Sequence, residues 1–346
     1  MRTTLKQAFV ALALLVLLAP PAAHAAPKTD IVIFHNGDRL TGEVRSLSRA
    51  ELNLNTDATG TIGIEWDKIS KVISNQSMQV EIDTGTRYFG QLVEAAVDGR
   101  IVVSTNDGAK ELNNDRVVLI TPIEERRIDA LDVDVSLGYN FTKATGVKQA
   151  TMGLDADYRT RLRIYSLRSS AVVSDSDEQE SSKRASAVID YKRLWNNRWF
   201  TNFNIGLEQN DELGVDLRTT IGGGGGRFLI QNNHTLLTMQ GGLLIARENN
   251  AGDSDTVDSL EGSFELHWDW FLFDSPELDW STKLQMFPSL TDIGRLRVNF
   301  DTGLQWEIYN DLNWGFTFYS SFDNRPASDD ASKSDYGVDT KFTYEF

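Results

Sequence analysis

The most constraining feature of this sequence is the regular alternation of side chains at its C-terminal end. Every second position is mostly apolar and aromatic, the positions between are polar or glycine, and the chain ends on phenylalanine. The first set comprises Tyr336, Val338, Thr340, Phe342, Tyr344 and Phe346. A period of two is that of a β-strand with two different faces. A final strand of this kind is typical of a bacterial outer-membrane barrel, whose wall turns apolar side chains towards lipid and polar ones towards its lumen.

The N-terminus carries the pattern of a secretory signal peptide. Two basic residues precede an apolar run, two prolines break it, and Ala23-His24-Ala25 offers a small-residue cleavage site. The apolar run is shorter than the roughly 20 residues that a membrane-spanning helix requires, so we expect residues 1–25 to be a signal peptide cut after Ala25. The sequence contains no cysteine, and neither a lipidated N-terminal cysteine nor a disulfide framework is therefore predicted.

Residues 131–346 are predicted to form an antiparallel transmembrane β-barrel of about 12 strands. The clearest strand begins at Leu131, where large apolar residues alternate with Asp, Ser, Gly and Asn up to Phe141. The other strands are expected near residues 150–158, 162–173, 184–194, 199–209, 213–230, 235–247, 257–272, 278–287, 296–308, 312–322 and 336–346. Roughly 18 residues for each strand and turn suffice for tilted spans of ~9–11 residues.

The predicted connections fall into two alternating classes. The turns from even to odd strands are short and rich in Asn, Asp, Ser and Pro, whereas the loops from odd to even strands are longer and several are acidic. The aromatic residues that cluster beside the short turns are Trp195, Trp199, Trp270, Phe271 and Tyr309. Outer-membrane barrels have short periplasmic turns, long external loops and aromatic belts. The segment before residue 131 is therefore expected in the periplasm.

Composition agrees with a barrel better than with a helical membrane protein. The formal net charge is -16 and the mean hydropathy is -0.32, because the lumen-facing half of each strand dilutes the lipid-facing half. This acidity argues against nucleic acid as a partner. The expected partners are outer-membrane lipid, lipopolysaccharide and the barrel assembly machinery, for which Phe346 is the predicted assembly signal. A soluble β-sandwich is the structural alternative.

Two segments conflict with a simple barrel pattern. Arg168 falls on the lipid side if its strand keeps the phase of Leu162 and Ile164, and we expect a β-bulge there that restores the phase. The glycine run at residues 222–226 resembles a phosphate-binding loop but lacks the following Lys-Ser/Thr. Those glycines are predicted to bend the strand or to let lumen groups approach closely.

An internal duplication marks residues 26–121. The segment at residues 36–44 recurs 48 residues later at 84–92, and Asp67-Lys68-Ile69 recurs at the same offset as Asp115-Arg116-Val117. Each copy is predicted to contain four or five short strands with glycine turns, which suggests two small SH3-like or Sm-like β modules. Residues 122–130 are the predicted linker.

These features together resemble a known family. The sequence Asn-Gly-Asp-Arg-Leu-Thr-Gly at residues 36–42, the strand Ile64-Glu65-Trp66 and the barrel opening Leu131-Asp132-Val133 are similar to the bacterial YdiY-like family of salt-induced outer-membrane proteins, a domain of unknown function. The resemblance implies the fold and an outer-membrane location over the mature chain. The family name suggests a response to salt or acid stress, and it implies no mechanism.

The charged residues predicted to face the lumen give three functional hypotheses. They are Asp155, Asp157, Arg218, Glu265, His267, Arg295, Arg297 and Asp301. Mixed signs are expected to pair across the lumen and largely close it, which favours a non-enzymatic envelope protein whose periplasmic modules contact a protein or peptidoglycan. A narrow or gated channel for small solutes or ions is the alternative. An outer-membrane hydrolase is the minor one, because His267 is the sole histidine on a predicted strand.

No cofactor is predicted, and the sequence has no His-Glu-x-x-His or similar metal-ligand spacing. Acidic clusters in the predicted outer loops are weak candidates for Ca²⁺ or Mg²⁺, which prefer hard oxygen ligands. The candidate ligands are Asp175, Asp177, Glu178, Glu180, Asp253 and Asp255. A solvated, repulsive loop is the alternative interpretation.

Overall fold

The computed structural model of the chain describes residues 28–123, 131–142, 147–175, 182–211, 215–250, 256–273, 276–309, 312–325 and 333–344. The predicted signal peptide, most of the predicted linker and Phe346 lie outside these ranges. Within them the regular structure consists of β-strands and two three-residue 3-10 helices. The ranges contain no helix with the length and apolar character needed to cross a membrane.

The N-terminal part forms one nine-stranded sheet. Its strands are β1 (Asp30–Phe34), β2 (Arg39–Ser48), β3 (Glu51–Thr56), β4 (Gly60–Glu65), β5 (Ile69–Ile82), β6 (Arg87–Val93), β7 (Arg100–Thr105), β8 (Gly108–Asn113) and β9 (Val117–Pro122). The order is β4-β3-β2-β1-β5-β6-β7-β8, and β9 pairs with both β2 and β5. The 3-10 helices, Trp66–Lys68 and Asn114–Arg116, precede β5 and β9.

The two halves of this sheet repeat the same local structure at a spacing of 48 residues. The amide of Gly37 donates to the carbonyl of Phe34, and the amide of Gly85 donates to the carbonyl of Ile82. Both glycines have positive φ angles, +88° and +78°, which residues with a side chain rarely adopt. The two 3-10 helices also occupy equivalent positions. Each copy therefore has five strands, with the long β5 contributing to both.

A single hydrophobic core joins the two copies. Val32, Leu47 and Leu54 from the first copy and Val80 and Ile101 from the second are all fully buried in the same cluster. Burial of each such side chain contributes roughly 1.5–3 kcal/mol to folding. The two predicted modules are thus joined through β5 and a shared core into one folded unit, which we call the N-terminal domain.

The C-terminal part forms a twelve-stranded antiparallel sheet, as predicted. Its strands are β10 (Leu131–Thr142), β11 (Val147–Arg159), β12 (Arg163–Asp175), β13 (Ser182–Leu194), β14 (Trp199–Asn210), β15 (Val215–Gln231), β16 (Thr235–Asn250), β17 (Thr256–Leu272), β18 (Leu278–Pro288), β19 (Leu296–Tyr309), β20 (Leu312–Asp323) and β21 (Ser334–Tyr344). Each strand pairs with the next in the chain, and β10 and β21 stand at the two ends of this order.

Strand register gives this sheet two chemically different faces. Leu137 on β10 lies opposite Met152 on β11, which in turn lies opposite Ala171 on β12. Large apolar side chains continue along this row on other strands. We call this the apolar face. The residues between them form the polar face, where Asp155 lies opposite Arg168. Since side chains alternate along every strand, the register fixes which residues share a face.

The predicted β-bulge near Arg168 is wrong. β12 pairs with β11 and β13 without a register shift, so Ile164 and Arg168 share the polar face. Ile164 lies opposite Arg159 and Lys192 at the end of the sheet. The sequence pattern misled because it assigned this isoleucine to the lipid side and took the phase of the strand from it.

The glycine run at 222–226 lies inside β15. A Cβ at Gly226 would come within 2.3 Å of the ring of Phe200, and one at Gly224 within 2.3 Å of the carbonyl oxygen of Gly241. The absence of side chains therefore lets the Phe200 ring lie on the polar face and lets β15 and β16 pack closely.

The sheet curls with its polar face inside. Asp190 on β13 and Glu265 on β17 are four strands apart, a separation of about 19 Å in a flat sheet. The charges of Glu265 and of Lys283 on β18 nevertheless reach Asp190, and Lys283 pairs with Glu265 at 3.5 Å. The polar face is therefore concave and the apolar face is convex.

Candidate functional site

The polar face carries charged side chains in close pairs, and most of the predicted lumen residues lie among them. Asp155 and Asp157 both pair with Arg168, at 3.4 and 2.6 Å. The hydroxyl of Ser166 donates to Asp157 at 2.5 Å. Arg168, which the sequence pattern placed towards lipid, is thus the cation that connects two of the predicted carboxylates.

Arg218 is the centre of a largely buried cluster. Its guanidinium donates to Glu248 at 2.7 Å and to Glu208 at 3.1 Å, and Arg218 and Glu248 are both buried. These residues come from β14, β15 and β16. A guanidinium shared by two carboxylates fixes three neighbouring strands at this level of the sheet.

A second cluster surrounds Glu265. Its carboxylate accepts hydrogen bonds from Gln240 at 3.0 Å and Gln285 at 2.7 Å, and it pairs with Lys283 at 3.5 Å. Asp301, another predicted lumen residue, lies opposite Lys283 in the register of β18 and β19. Carboxylates and amides from four strands therefore alternate across this part of the polar face.

Arg295 and Arg297 bind different carboxylates. Arg297 on β19 donates to Glu261 on β17 at 2.5 Å, and only 3% of the Glu261 side chain is exposed. Arg295 lies in the connection before β19 rather than on a strand, and it pairs with Asp323 at 2.8 Å. The two arginines therefore do not act as a unit.

His267 lies on the polar face, between Asp269 and Ser281. Its Nε2 is 3.2 Å from Asp269 Oδ1 and 3.2 Å from the Ser281 hydroxyl. A histidine beside a serine and an aspartate has the residue types of a hydrolytic triad, but here a single nitrogen faces both partners. In a triad one imidazole nitrogen contacts the serine and the other contacts the carboxylate.

The predicted metal ligands are mostly outside the described ranges. Asp175 ends β12 and lies opposite Lys148, whereas Asp177, Glu178, Glu180, Asp253 and Asp255 are not described. Among the residues that the structure describes, no group of three or more histidine, aspartate or glutamate side chains is arranged to hold a metal ion.

The sequence did not predict the contact between the N-terminal domain and the short-turn end of the sheet. Arg161, in the turn between β11 and β12, lies over the ring of Phe89 at 5.4 Å. In the next short turn, the carbonyl of Trp195 accepts from Arg87 at 3.1 Å. In the third, Asn233 donates to the carbonyl of Asp115 at 3.3 Å. The N-terminal domain therefore covers successive short turns.

A buried ion pair supports this contact from the N-terminal side. Glu81 on β5 and Arg87 on β6 lie opposite each other, with their charged groups 2.8 Å apart, and both side chains are nearly fully buried. Glu81 also accepts from Gln231 of the sheet at 3.4 Å. The equivalent pair in the first copy is Ile33 and Arg39, so the second copy alone carries this carboxylate for docking.

Arg49 extends from the N-terminal domain onto the polar face. Its Nη2 lies 2.5 Å from Asp279 Oδ1, its Nη1 lies 3.8 Å from Asp269 Oδ1, and its guanidinium lies 4.8 Å from the ring centre of Phe271. Arg49 and Ala50 form the two-residue turn between β2 and β3, and both have positive φ, +54° and +62°. A Cβ atom clashes with the backbone in this left-handed conformation, so both residues of the turn raise the energy of the folded state.

Carboxylates also approach each other at this end. Burial, with the neighbouring charges of Glu307 and Glu51, raises the pKa of Glu277. Glu51 belongs to the N-terminal domain and lies two residues after Arg49, whereas Glu277 lies in the connection before β18 and Glu307 lies near the end of β19. The interface therefore combines attraction at Arg49 with like-charge repulsion nearby.

Comparisons with known proteins identify a family for the sheet. The model of a family described as a protein of unknown function, DUF481, matches residues 131–346, which agrees with the resemblance to the YdiY-like family. The match begins at the first residue of β10 and does not extend over the N-terminal domain. No curated protein matches the chain.

Proposed function

The chain belongs to the DUF481 family of proteins of unknown function, and from this premise we propose that it is a non-enzymatic outer-membrane β-barrel protein of a bacterial envelope. The convex apolar face carries this proposal. Leu137 and Phe342, for example, are 67% and 66% exposed on it. Exposed apolar surface of this extent marks contact with lipid or with another protein, and a twelve-stranded sheet with an apolar outside has the pattern of an outer-membrane wall.

Aromatic residues near the short turns support a membrane position for this face. Trp306, Trp314 and Phe342 lie side by side on β19, β20 and β21, and Trp270 lies opposite Trp280 on β17 and β18. The indole and phenol rings of outer-membrane barrels concentrate at the level of the lipid headgroups. This belt would place the short turns at the periplasmic boundary.

Closure of the sheet by pairing of β10 with β21 is part of the proposal. With an even number of strands, the first and last run in opposite directions and can pair in the antiparallel sense. Closure would satisfy the backbone groups of both end strands, which a lipid environment requires. The sheet curls between β13 and β17 in the direction that would bring β10 and β21 together.

Engineered disulfides test this closure. Because the sequence has no cysteine, a pair of introduced cysteines reports one contact. Val338→Cys would be combined in turn with cysteine at Val135, Leu137, Tyr139 and Phe141 on β10, all on the apolar face. We expect at least one combination to form a disulfide in folded protein, since neighbouring strands place facing Cα atoms within the 4.4–6.8 Å that a disulfide spans. The control pair, Val338→Cys with Phe203→Cys on β14, should not react. Absence of a disulfide in all four combinations would contradict the barrel.

The N-terminal domain is proposed to lie in the periplasm and to contact a protein or peptidoglycan there. Its two five-stranded copies, each with a 3-10 helix before the last strand, support an SH3-like fold for each copy. Its place over the short turns agrees with a periplasmic position, because short turns face the periplasm in bacterial barrels.

A narrow or gated channel is the second candidate, and one observation favours the gated form. Arg49 of the N-terminal domain lies on the polar face, at the end where a lumen would open towards the periplasm. The ion pairs of Arg168, Arg218 and Arg297 occupy the same face. Both features support a closed resting state. A hydrolase stays the minor alternative, with His267 as its candidate residue.

A further inference from the structure

The groups around Arg49 form a receptor suited to an organic cation. Two carboxylates, Asp269 and Asp279, and the face of the Phe271 ring approach the guanidinium from different sides. Carboxylates bind guanidinium and ammonium groups by charge-assisted hydrogen bonds, and an aromatic face adds cation–π attraction. Only 5% of the Asp269 side chain is exposed, so this carboxylate is held within the sheet rather than free in solvent.

The receptor is built by the sheet alone. Asp269 and Phe271 lie on β17 and Asp279 on β18, and Phe271 lies directly opposite Asp279 in the register. The amide of Phe271 donates to the carbonyl of His234 at 2.9 Å, and Asp269 is also held by His267. These contacts lie within the sheet and do not involve the N-terminal domain.

The occupant, in contrast, belongs to the other domain and is held on a strained turn. Arg49 reaches the receptor from the β2–β3 connection, 230 residues away from Asp279 in sequence. The two positive φ angles of this turn favour glycine over arginine and alanine. Arg49 is thus held at a position with a costly backbone conformation while its side chain contacts Asp279 and Asp269.

We propose that Asp269, Asp279 and Phe271 form a binding site for organic cations, that Arg49 occupies it as a tethered ligand, and that free guanidinium compounds or polyamines compete with Arg49. The inference rests on the proposed function only in placing this site at the mouth of a barrel. A tethered ligand acts at an effective concentration in the millimolar range. The apparent affinity for a free cation is therefore the intrinsic affinity of the site multiplied by the fraction of time that Arg49 leaves the site vacant.

The test is titration of the full chain with agmatine, which carries a guanidinium and an amine on a short alkyl chain. Calorimetry on protein folded in detergent would compare the wild type with Arg49→Ala. We expect Arg49→Ala to bind agmatine at least tenfold more tightly, because its site has no internal competitor. Adding Asp279→Asn to Arg49→Ala should weaken binding at least tenfold, because it removes the carboxylate nearest the guanidinium.

Arg45→Ala is the matched control, since Arg45 lies on the same hairpin and pairs with Glu43 inside its own domain. It should bind agmatine as the wild type does. Equal affinity of wild type and Arg49→Ala, no binding to either, or tight binding that survives Asp279→Asn would each overturn the inference. Folding of each variant is checked by its heat-dependent migration on a gel, and the disulfide test of β10 and β21 separates failure of the barrel from failure of this site.

Discussion

The indole of Trp66 donates a hydrogen bond to the backbone carbonyl of Asn114, its own counterpart 48 residues later, at 2.8 Å. The side-chain amide nitrogen Nδ2 of Asn114 in turn donates to the carbonyls of Ile69 and Ser70, at 3.0 and 3.1 Å. Equivalent positions of the two copies thus contact each other, although their side chains differ. This exchange ties the copies together at their 3-10 helices.

Trp66→Phe should lower the free energy of unfolding of the N-terminal domain by about 1–3 kcal/mol. The substitution removes the indole donor and leaves a buried carbonyl without its partner. Urea denaturation of the full chain would measure the effect. Thr61→Ala, at an exposed position of β4, is the control and should change stability by less than about 0.5 kcal/mol. A loss no larger than that of the control would show that the hydrogen bond is dispensable.

Ala50→Gly should stabilise the N-terminal domain by about 1 kcal/mol. Glycine adopts the positive φ of this position without the steric cost that a Cβ brings. Ala109→Gly on β8 serves as the comparison, and we expect it to destabilise by roughly 0.5–1 kcal/mol because glycine weakens a strand. The midpoint of urea unfolding distinguishes the two. A loss of stability in Ala50→Gly would mean that this turn is not strained in solution.

Asp30 should make the N-terminal domain less stable as the pH rises from acid to neutral. Burial raises the pKa of Asp30 from its usual value of 3.8, and a hydrogen bond from the amide of Val44 opposes this only in part. The folded state therefore holds a proton that the unfolded state has released, and stability falls between 3.8 and the raised pKa.

The variant Asp30→Asn removes this titration, so its stability relative to wild type should grow from pH 4 to neutral pH. Thermal unfolding of the full chain at several pH values measures the difference. The exposed Asp107→Asn should track the wild type at every pH. A constant difference between Asp30→Asn and wild type across the range would refute the assignment.

Arg297→Ala should destabilise the sheet by about 3–5 kcal/mol, because it leaves the buried Glu261 without its cation. Adding Glu261→Gln should recover most of the loss. Arg247 and Asp258 form an exposed pair at 2.7 Å, and Arg247→Ala should cost far less than Arg297→Ala because solvent screens an exposed pair. Thermal unfolding in detergent would compare them. If Arg297→Ala and Arg247→Ala had equal effects, the Glu261 contact would not be a buried pair in solution.

Single-channel recording of the full chain should show no steady open conductance, because the N-terminal domain covers the short-turn end and ion pairs occupy the polar face. Arg49→Ala should raise the frequency of openings, and these should favour cations, since Asp269 and Asp279 would then face the lumen without Arg49. Arg45→Ala should behave as wild type. A stable open pore in the wild type would contradict a closed resting state.

The strands were predictable because their period of two extends over most of the sheet, and neighbouring strands agree about which side is apolar. Arg168 shows the limit of that pattern. An apolar residue on the polar face, Ile164, shifted the predicted phase, and the sequence alone does not say that this end of the sheet carries such a residue. Arg49 was missed for a different reason. Its partner is 230 residues away, and no local pattern distinguishes a docking arginine from a solvated one.

The span between Arg49 and Asp279 also sets an order of events in folding. The N-terminal domain precedes every strand of the sheet in the chain, and its contacts with itself are local in comparison. Asp269 and Asp279 come together only when β17 and β18 have paired, and the entropy of closing so long a loop makes their contact with Arg49 a late step. Docking of Arg49 is therefore a sign that assembly of the sheet has reached its second half, and a chain stalled before β18 would leave this arginine without its receptor.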